Sequence, residues 1–495
     1  MRSTGRAPAA PTHNACGWLS CGVATSSAAA GTQSQWASSS VAERLKVLRR
    51  ARHLLADRAT SLAEAISPDL MRTHADTLAS EVLPLLDACR FLERNAAKLL
   101  RPKRLGSDGR PLWLSGVQTE VHREPLGHVL VIGPSNFPLF LPGVQTLQAL
   151  AAGNSVTWKP GVGGAAVAAV FAQTLRDAGL PAGVLAVTDE SAGAATAAIA
   201  AKPDKVIFTG SSSTGREVLG ALAASATPAV LELSGCDAMV VMPGADLTLV
   251  ARAVAFGLRL NGSAVCMSPR RLIATRSTLT ALRPLLAEAL PAVPPIALGA
   301  RTAELLRALT EQAVRDGAEL RGICNPQAQQ PLLIDKATPQ MAIAQSDLFA
   351  PVLSLLEVES LLHVTEVYAQ CDYALTVSLF CGRDELPRAQ LLGKTLKAGT
   401  VLINDIIAPT ADPRVPFGGR GASGYGLTRG SEGLLEMTAV KTVIVRRSGA
   451  MRHLDATTEA DTPLFASLIA ALHSEGWKSR GRALLAVIRS ARARR

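Results

Sequence analysis

The chain has 495 residues, 48% of them hydrophobic, and a formal net charge of +11. This length and composition predict a globular protein with a large core divided into two or more lobes, and no apolar stretch is long enough to span a membrane. Nine of the eleven excess charges lie at the chain ends, on Arg2, Arg6 and the seven cationic residues after Glu475. The body is therefore nearly neutral, which argues against nucleic-acid binding.

The eight cysteines are spread along the chain without the paired spacing of a metal site. Even Cys16 and Cys21, the pair closest in sequence, have no cluster of histidines or further cysteines nearby. Free thiols in a chain of this length are typical of a reducing compartment. We therefore expect a cytoplasmic protein without a bound metal.

The two ends of the chain differ in composition from the middle. Residues 1–38 are rich in Ser, Thr, Ala and Gly and contain no acidic residue, which predicts a disordered tail or, alternatively, an organelle transit peptide. Residues 449–495 form a C-terminal extension with apolar side chains at helical spacing, which predicts an amphipathic helix that packs on the body or on a neighbour. We expect no membrane partner, and binding of the basic end to a membrane surface is the alternative.

Ordered structure is expected to begin at Ser40, where Ser40-Val-Ala-Glu43 has the pattern of a capping box at a helix start. A second helix is predicted over residues 75–100. The alternating residues on either side of Gly116, from 111 to 122, predict a hairpin.

From residue 127 onward, short apolar runs alternate with longer Ala-rich segments. The pattern predicts strands at 128–133, 155–159, 184–187, 205–209 and 229–233, and helices at 141–152, 164–178 and 214–224. Such alternation predicts right-handed crossovers and a doubly wound parallel sheet. A second alternating region, from about 237 to 435, predicts a second α/β lobe.

Four of the predicted strands end in polar residues with apolar surroundings. These are Asn136, Lys159, the loop from Thr209 to Gly215, and Glu232. Ligands of parallel sheets bind at the carboxyl ends of the strands, so these residues are candidates for a shared site.

Cys266 lies in a loop of small residues, Asn261-Gly-Ser-Ala-Val-Cys266, between a predicted helix and a strand. A junction of this kind can present a reactive thiol, whereas a buried cysteine that packs as a small apolar side chain is the alternative.

These motifs, in this order, resemble the aldehyde dehydrogenase superfamily over about residues 40–447. Later blocks extend the resemblance: Asp347-Leu-Phe-Ala-Pro-Val352, Gly399-Thr-Val-Leu-Ile-Asn404 and Pro416-Phe-Gly-Gly-Arg-Gly-Ala-Ser-Gly-Tyr-Gly426. The resemblance implies a dinucleotide-binding domain of residues 39–111 and 124–234, a catalytic domain of 235–435, and oligomerisation segments at 112–123 and 436–448. A homodimer or homotetramer is implied in the same way.

The resemblance also implies oxidation of an aldehyde to a carboxylic acid with NAD or NADP. Cys266 would be the nucleophile, because a thiolate adds reversibly to a carbonyl near neutral pH. The Asn136 amide and the Cys266 backbone N–H would stabilise the oxyanion. Glu232 would act as general base in hydrolysis of the thioester, and a strand-end ion pair is the alternative for this residue.

The cofactor residues are implied by the same family pattern. Gly210, Ser211 and Gly215 would place helix N–H groups around the pyrophosphate. Lys159 would contact the adenosine ribose, Asp347 and Phe349 would hold the nicotinamide ribose and ring, and Leu233 would be a further cofactor-binding residue. For Asp347 the family usually has Glu, and a surface aspartate is the alternative.

The sequence departs from the family pattern at several of these positions. Ser135 replaces Trp, Ser234 replaces Gly, Ser263 replaces Gly, and Thr428 stands where the family has a second carboxylate. Val162 replaces a Glu that engages ribose hydroxyls, so use of NADP becomes conceivable. A CoA-acylating dehydrogenase and a catalytically weak, cofactor-binding homologue therefore stay open as alternatives.

Overall fold

The computed structural model describes residues 26–448 and 451–493. It divides the chain into two compact units. The first contains residues 26–102 and 122–441, and the second contains residues 103–121 with the described part of 442–495.

The α-helices of the described residues are α1 (Ser26–Ser38), α2 (Val41–Asp57), α3 (Ala59–Glu64), α4 (His74–Thr77), α5 (Leu83–Leu100), α6 (Phe140–Ala152), α7 (Ala165–Asp177), α8 (Ala192–Ala200), α9 (Ser212–Ala223), α10 (Leu247–Arg259), α11 (Arg276–Ala289), α12 (Ala300–Arg315), α13 (Val364–Ala369), α14 (Leu386–Thr395), α15 (Gly430–Glu436), α16 (Thr462–His473) and α17 (Trp477–Ala493). The strands are β1 (Lys103–Leu105), β2 (Val117–Pro125), β3 (His128–Ile132), β4 (Ser155–Lys159), β5 (Leu185–Val187), β6 (Lys205–Thr209), β7 (Ala229–Glu232), β8 (Asp237–Val241), β9 (Pro269–Thr275), β10 (Glu319–Arg321), β11 (Leu332–Ala337), β12 (Val352–Val358), β13 (Tyr373–Ala374), β14 (Thr376–Phe380), β15 (Thr400–Ile403), β16 (Arg420–Gly421), β17 (Gly424–Tyr425) and β18 (Thr438–Arg446).

The first unit contains a six-stranded sheet with the order β17-β7-β6-β3-β4-β5. All its neighbouring strands are parallel except β17, which runs antiparallel to β7. The chain winds outward from β3 to β5 and then returns to β6 on the other side of β3, so the strand order reverses between β3 and β6. Sheets of this type bind ligands at that reversal.

The same unit contains a second, seven-stranded sheet with the order β10-β11-β12-β9-β8-β14-β15. Only β10 is antiparallel to its neighbour. The predicted fold class is therefore confirmed: a doubly wound parallel sheet is followed by a second α/β sheet.

Both faces of each sheet are covered by apolar side chains, as parallel strands require. In β3, Val129 and Val131 pack into the cluster that includes α2, α5, α6 and α7, whereas Leu130 and Ile132 pack with residues of α9. The second sheet separates two further clusters in the same way. These layers fix the ends of β3, β6 and β7, from which the candidate site is built.

The predicted disordered tail, residues 1–38, needs correction over its last third. Residues 1–25 lie outside the described residues, but 26–38 form α1. Trp36 is buried and its indole N–H donates to the carbonyl of Leu150 at 3.0 Å. Burial of one large aromatic side chain offsets the polar composition of this segment, a tertiary effect that composition does not reveal.

The predicted hairpin around Gly116 is also wrong. Residues Leu112–Leu114 form a single 3₁₀ turn, and the antiparallel partner of β2 is β1, with Lys103 opposite Val121. Pro111 lacks a backbone N–H, and Gly116 has a φ of 84°, so this run cannot continue as a strand.

The predicted end of the second domain at residue 435 needs correction as well. β17 pairs with β7 in the first sheet, with Gly424 opposite Glu232, and α15 packs against α5 and α6. The chain thus returns to the first sheet before residue 435.

The second unit contains β1 and parts of β2 and β18 in a three-stranded sheet of order β1-β2-β18, together with α16 and α17, which pack against each other. The segment expected to be helical holds these two helices. Among the described helices of both units, none combines the length and apolar character needed to cross a membrane.

Candidate active site

A cavity of about 1260 Å³ lies at the carboxyl ends of β3 and β6, where the strand order reverses. Nine of the ten residues singled out by the sequence line it: Asn136, Lys159, Gly210, Ser211, Glu232, Leu233, Cys266, Asp347 and Phe349. Gly215 does not line the cavity. A Cβ at Gly215 would lie 2.6 Å from the Leu233 side chain, so its role in the fold is close packing of α9 on the sheet.

The loop that carries Cys266 is held by an unusual backbone. Asn261, Gly262 and Ser263 all have positive φ, at 51°, 57° and 62°. The Ser263 hydroxyl donates to the Ala350 carbonyl at 3.1 Å and accepts from Arg270 at 2.8 Å. Ser263 stands where the family pattern has glycine, and it adopts a left-handed backbone conformation that favours glycine. These two hydrogen bonds help to hold the strained backbone of Ser263 in place.

Cys266 itself lies outside any helix or strand, is partly accessible, and sits against the segment that follows Glu232. A Cβ on Gly235 would lie 2.4 Å from the Cys266 carbonyl oxygen, so only glycine permits this approach. The Cys266 backbone N–H forms no hydrogen bond within the described parts of the chain. It is therefore free to donate to a ligand.

Burial raises the pKa of the Cys266 thiol well above its usual value. The carboxyl groups of Asp237, Glu232 and Asp347 raise it further, and only the guanidinium of Arg429 opposes them. The thiol is therefore protonated in the free protein, and formation of the thiolate requires that a proton be removed.

Asn136 lines the same cavity as Cys266. Its side-chain N–H₂ donates to the Ala264 carbonyl at 2.8 Å, and its Oδ1 accepts from the Phe137 N–H at 3.1 Å. Because an amide nitrogen carries two hydrogens, one donor stays available. The orientation of the amide is thus fixed by both of its ends.

Two residues that the sequence did not single out support this geometry. Asn261 donates from Nδ2 to the Asn136 carbonyl at 2.8 Å and contacts the Ala264 carbonyl at 3.2 Å. Glu81, in a π-helical turn between α4 and α5, accepts the N–H groups of Leu139 and Phe140 at 2.9 and 2.7 Å. A buried carboxylate at the start of α6 would have been hard to predict, since Glu81 is 55 residues away in sequence from Asn136.

Glu232 is buried at the end of β7 and is surrounded by neutral hydrogen-bond donors. The Thr428 hydroxyl donates to Oε1, while Thr209 and Gln145 contact Oε2 at 3.3 and 3.5 Å. Burial raises the pKa of Glu232, and Arg429, Thr428 and Thr209 oppose this in decreasing order. Within the part of the chain that the structure describes, no cation forms an ion pair with Glu232 at hydrogen-bond distance, and its pKa is set by burial, by these neutral donors and by the more distant Arg429.

Arg429 is a further cavity residue that sequence reasoning missed. It is 4% exposed, its Nη1 donates to the Thr410 carbonyl at 2.6 Å, and the guanidinium stacks over Phe417 at 4.1 Å. The sequence offers only one signal for it, its position next to Thr428 and three residues after the block that ends at Gly426.

Other groups that line the cavity suit a dinucleotide. Ser211 caps α9 by accepting the Thr214 N–H at 3.2 Å, and the first turn of a helix leaves N–H groups free for phosphate oxygens. Lys159 ends β4 and is buried, which lowers its pKa, while Glu190 and Asp189 oppose the shift.

Asp347 provides the clearest test of whether this part of the cavity suits a sugar ligand. Its Oδ1 is buried and has no hydrogen-bond partner within the described residues, while Ser234 hydrogen-bonds the carboxyl group. An unpartnered buried acceptor is costly, and a sugar hydroxyl would satisfy it. The hydrogen-bonding groups in this part of the cavity are therefore chemically suited to a ribose and a pyrophosphate.

The described residues contain no cluster of three or more His, Cys, Asp or Glu side chains that could hold a metal ion.

Known proteins resemble this chain over most of its length. A model of the aldehyde dehydrogenase family matches residues 21–443. The 4,4'-diapolycopene aldehyde oxidase of Methylomonas sp. is 28% identical over 83% of this chain and 79% of its own. The vanillin dehydrogenase of Corynebacterium glutamicum is 29% identical over 85% of this chain and 89% of its own. The NADP-dependent glyceraldehyde-3-phosphate dehydrogenase from Bacillus halodurans C-125, solved with NADP, is 28% identical with a TM-score of 0.77, over 85% of this chain and 90% of that one.

Proposed function

Because the chain belongs to the aldehyde dehydrogenase family, we propose that it oxidises an aldehyde to a carboxylic acid with NAD or NADP, through a thioester on Cys266. One observation carries the proposal: Asn136, Glu232 and Cys266, which are far apart in sequence, line one cavity that extends to the unpartnered Asp347 oxygen. A thiol, an amide donor and a buried carboxyl group are the set that this chemistry needs.

In the first step the partly accessible Cys266 thiol loses its proton to water, and the thiolate adds to the aldehyde carbon. The two free donors, on the Asn136 amide and the Cys266 backbone, then hold the oxyanion of the adduct. A nicotinamide dinucleotide, which Lys159, Ser211 and Asp347 would hold, would supply the hydride acceptor. Loss of hydride from the adduct leaves a thioester on Cys266.

The second step is hydrolysis of the thioester. Glu232 takes a proton from water, the hydroxide adds to the carbonyl carbon, and the carbon–sulfur bond breaks with the thiolate as leaving group. The raised pKa of Glu232 makes it a stronger base than an exposed carboxylate once it is ionised. This buried base favours water over CoA as the acyl acceptor.

Either nicotinamide cofactor is compatible with the adenosine end of the cavity. Val162 is 70% exposed and presents no carboxylate that would repel a 2′-phosphate, while Lys159 and Arg216 line the same cavity. The solved relative from Bacillus halodurans was crystallised with NADP.

The assembly and location are proposals of the same kind. Strand β18 exposes Val440, Val443, Ile444 and Val445, an apolar edge that suits association into a homodimer or homotetramer. The six described cysteines are free, in keeping with the cytoplasmic location expected from the sequence.

The test is an aldehyde panel with either cofactor, with and without CoA, that follows reduced cofactor. Wild type should oxidise at least one aldehyde without CoA, Cys266→Ala should lose this activity, and Cys324→Ala, at another half-buried cysteine, should retain it. Dependence on CoA would select the acylating alternative. Cofactor binding without turnover across the panel would select the catalytically weak homologue.

A further inference from the structure

The guanidinium of Arg429 is enclosed on most sides. Its Cζ lies 4.1 Å from the centroid of the Phe417 ring and 5.6 Å from that of Phe140, and Nη1 donates to the Thr410 carbonyl. Nε and Nη2 have no hydrogen-bond partner within the described residues, although both are buried. A buried arginine with two unused donors is costly unless another group compensates for its charge.

The backbone of Arg429 is also strained. Arg429 has a φ of 61° and a ψ of 171°, a combination that is strained for a residue with a side chain. The Arg429 N–H donates to Gln148 at 3.3 Å. Strain of this kind persists only where the surrounding structure enforces it, and such positions are frequent at functional sites.

The charged groups that face Arg429 are those of the reaction centre. Glu232 from β7 and Cys266 from its loop are the two groups that raise the pKa of the guanidinium against the effect of burial. The remaining contacts of Glu232, from Thr428, Thr209 and Gln145, are neutral. Arg429 also lines the same cavity as Glu232, and it directly follows Thr428, whose hydroxyl donates to Glu232. Position and charge together make Arg429 the cation that acts on Glu232.

We propose that Arg429 is a positioning residue that holds Glu232 in its carboxylate form for hydrolysis of the thioester. The inference rests on the proposed function and assigns a role to a residue outside the predicted set. The chain has Thr428 where the family has a second carboxylate, and the next residue supplies a positive charge instead. A buried carboxyl group without that charge would be protonated and could not accept a proton from water.

The two half-reactions can be separated with 4-nitrophenyl acetate as a probe. The Cys266 thiolate displaces nitrophenolate and becomes acetylated, and water then releases acetate with transfer of its proton to Glu232. The nitrophenolate burst reports acylation, and the steady-state rate reports hydrolysis. The assay needs no nicotinamide cofactor, so it is independent of cofactor affinity.

Arg429→Met should move the acidic limb of the hydrolysis rate to higher pH by about one unit or more, which slows hydrolysis about tenfold on that limb. The burst amplitude should persist. Arg429→Lys keeps the charge and should restore much of the wild-type profile. Arg307→Met is the matched control, because Arg307 is an exposed helix residue paired with Glu311, and its profile should match wild type.

An unchanged acidic limb in Arg429→Met would overturn the inference and leave the thioester mechanism standing. A wild-type protein without a burst that depends on Cys266 would instead overturn the proposed function. Should Arg429→Met fail to fold, infrared difference spectra of wild type minus Glu232→Gln decide the matter. A carboxylate band for Glu232 at pH 7 supports the inference, and a protonated carboxyl band contradicts it.

Discussion

The hydroxyl of Thr428 donates a hydrogen bond to Oε1 of Glu232. The two residues belong to different segments, 196 positions apart, and both are buried. Thr428 occupies the position of the family's second carboxylate. In this chain that position therefore stabilises the base directly, and no second carboxylate is present there to pass its proton on.

We predict that Thr428→Val slows thioester hydrolysis and shifts its acidic limb upward. A hydrogen bond to a charged acceptor contributes about 1.5–3 kcal/mol, so its loss raises the pKa of Glu232 by about one to two units. The sign follows because the hydroxyl stabilises the ionised form. The pH dependence of steady-state hydrolysis measures the shift. Thr428→Ser keeps the hydroxyl and should therefore retain the wild-type pH profile.

We predict that Asn136→Ala slows acylation of Cys266 by about 10²- to 10³-fold, the usual cost of one oxyanion donor. The Asn136 amide is oriented by Ala264 and Phe137, so its free hydrogen is available before substrate arrives. Rapid-mixing measurements of the burst give the rate. Asn95→Ala, which removes a helix-surface amide on α5, is the control. Equal burst rates in wild type and Asn136→Ala would rule out this role.

We predict that Trp36→Ala lowers the free energy of unfolding by about 3–5 kcal/mol, as expected for truncation of a buried aromatic side chain. Trp36 is 5% exposed, whereas Trp477 is 80% exposed. Trp477→Ala should therefore change stability by less than about 0.5 kcal/mol. Urea titrations measure both, and a mild effect at Trp36 would show that α1 contributes little to the fold.

We predict that Asp335→Asn lowers the free energy of unfolding by about 1–3 kcal/mol at neutral pH. Burial alone would raise the pKa of Asp335, but hydrogen bonds from Arg283 and Arg321 lower it below the usual value. A lowered folded-state pKa adds stability above the unfolded-state value, near 4, and that stability is lost as the pH falls through the folded-state value. The difference between wild type and variant should therefore shrink below about pH 4. A difference that stays constant from pH 7 to pH 3 would contradict the assignment.

Much of the fold follows from local pattern. The runs at β3, β4, β6 and β7 are short, apolar and bounded by turn residues, so the sequence predicts them closely. Helix α8 was not predicted, because Ala192-Gly-Ala-Ala-Thr-Ala-Ala-Ile-Ala200 has no polar face and no buried side chain to create a period. Trp36 escaped prediction for the opposite reason, since its burial depends on partners more than 100 residues away.

The residues of the candidate site also differ in how well the sequence predicts them. Asn136, Glu232 and Cys266 were predictable because each occupies a recognisable motif. Arg429 was not, because an arginine in a glycine-rich loop resembles an ordinary surface residue until Phe140 and Phe417 are brought around it. The effect of the Arg429 charge on Glu232 depends on folding, which brings the two residues into one cavity.

The account depends most on a thioester at Cys266 that Glu232 hydrolyses. The direct measurement is peptide mass spectrometry of Glu232→Gln after incubation with an oxidisable aldehyde and cofactor. The account predicts that the peptide containing Cys266 gains the mass of the corresponding acyl group, while wild type accumulates much less. Turnover of the aldehyde with no acyl group on Cys266 in the variant would contradict it.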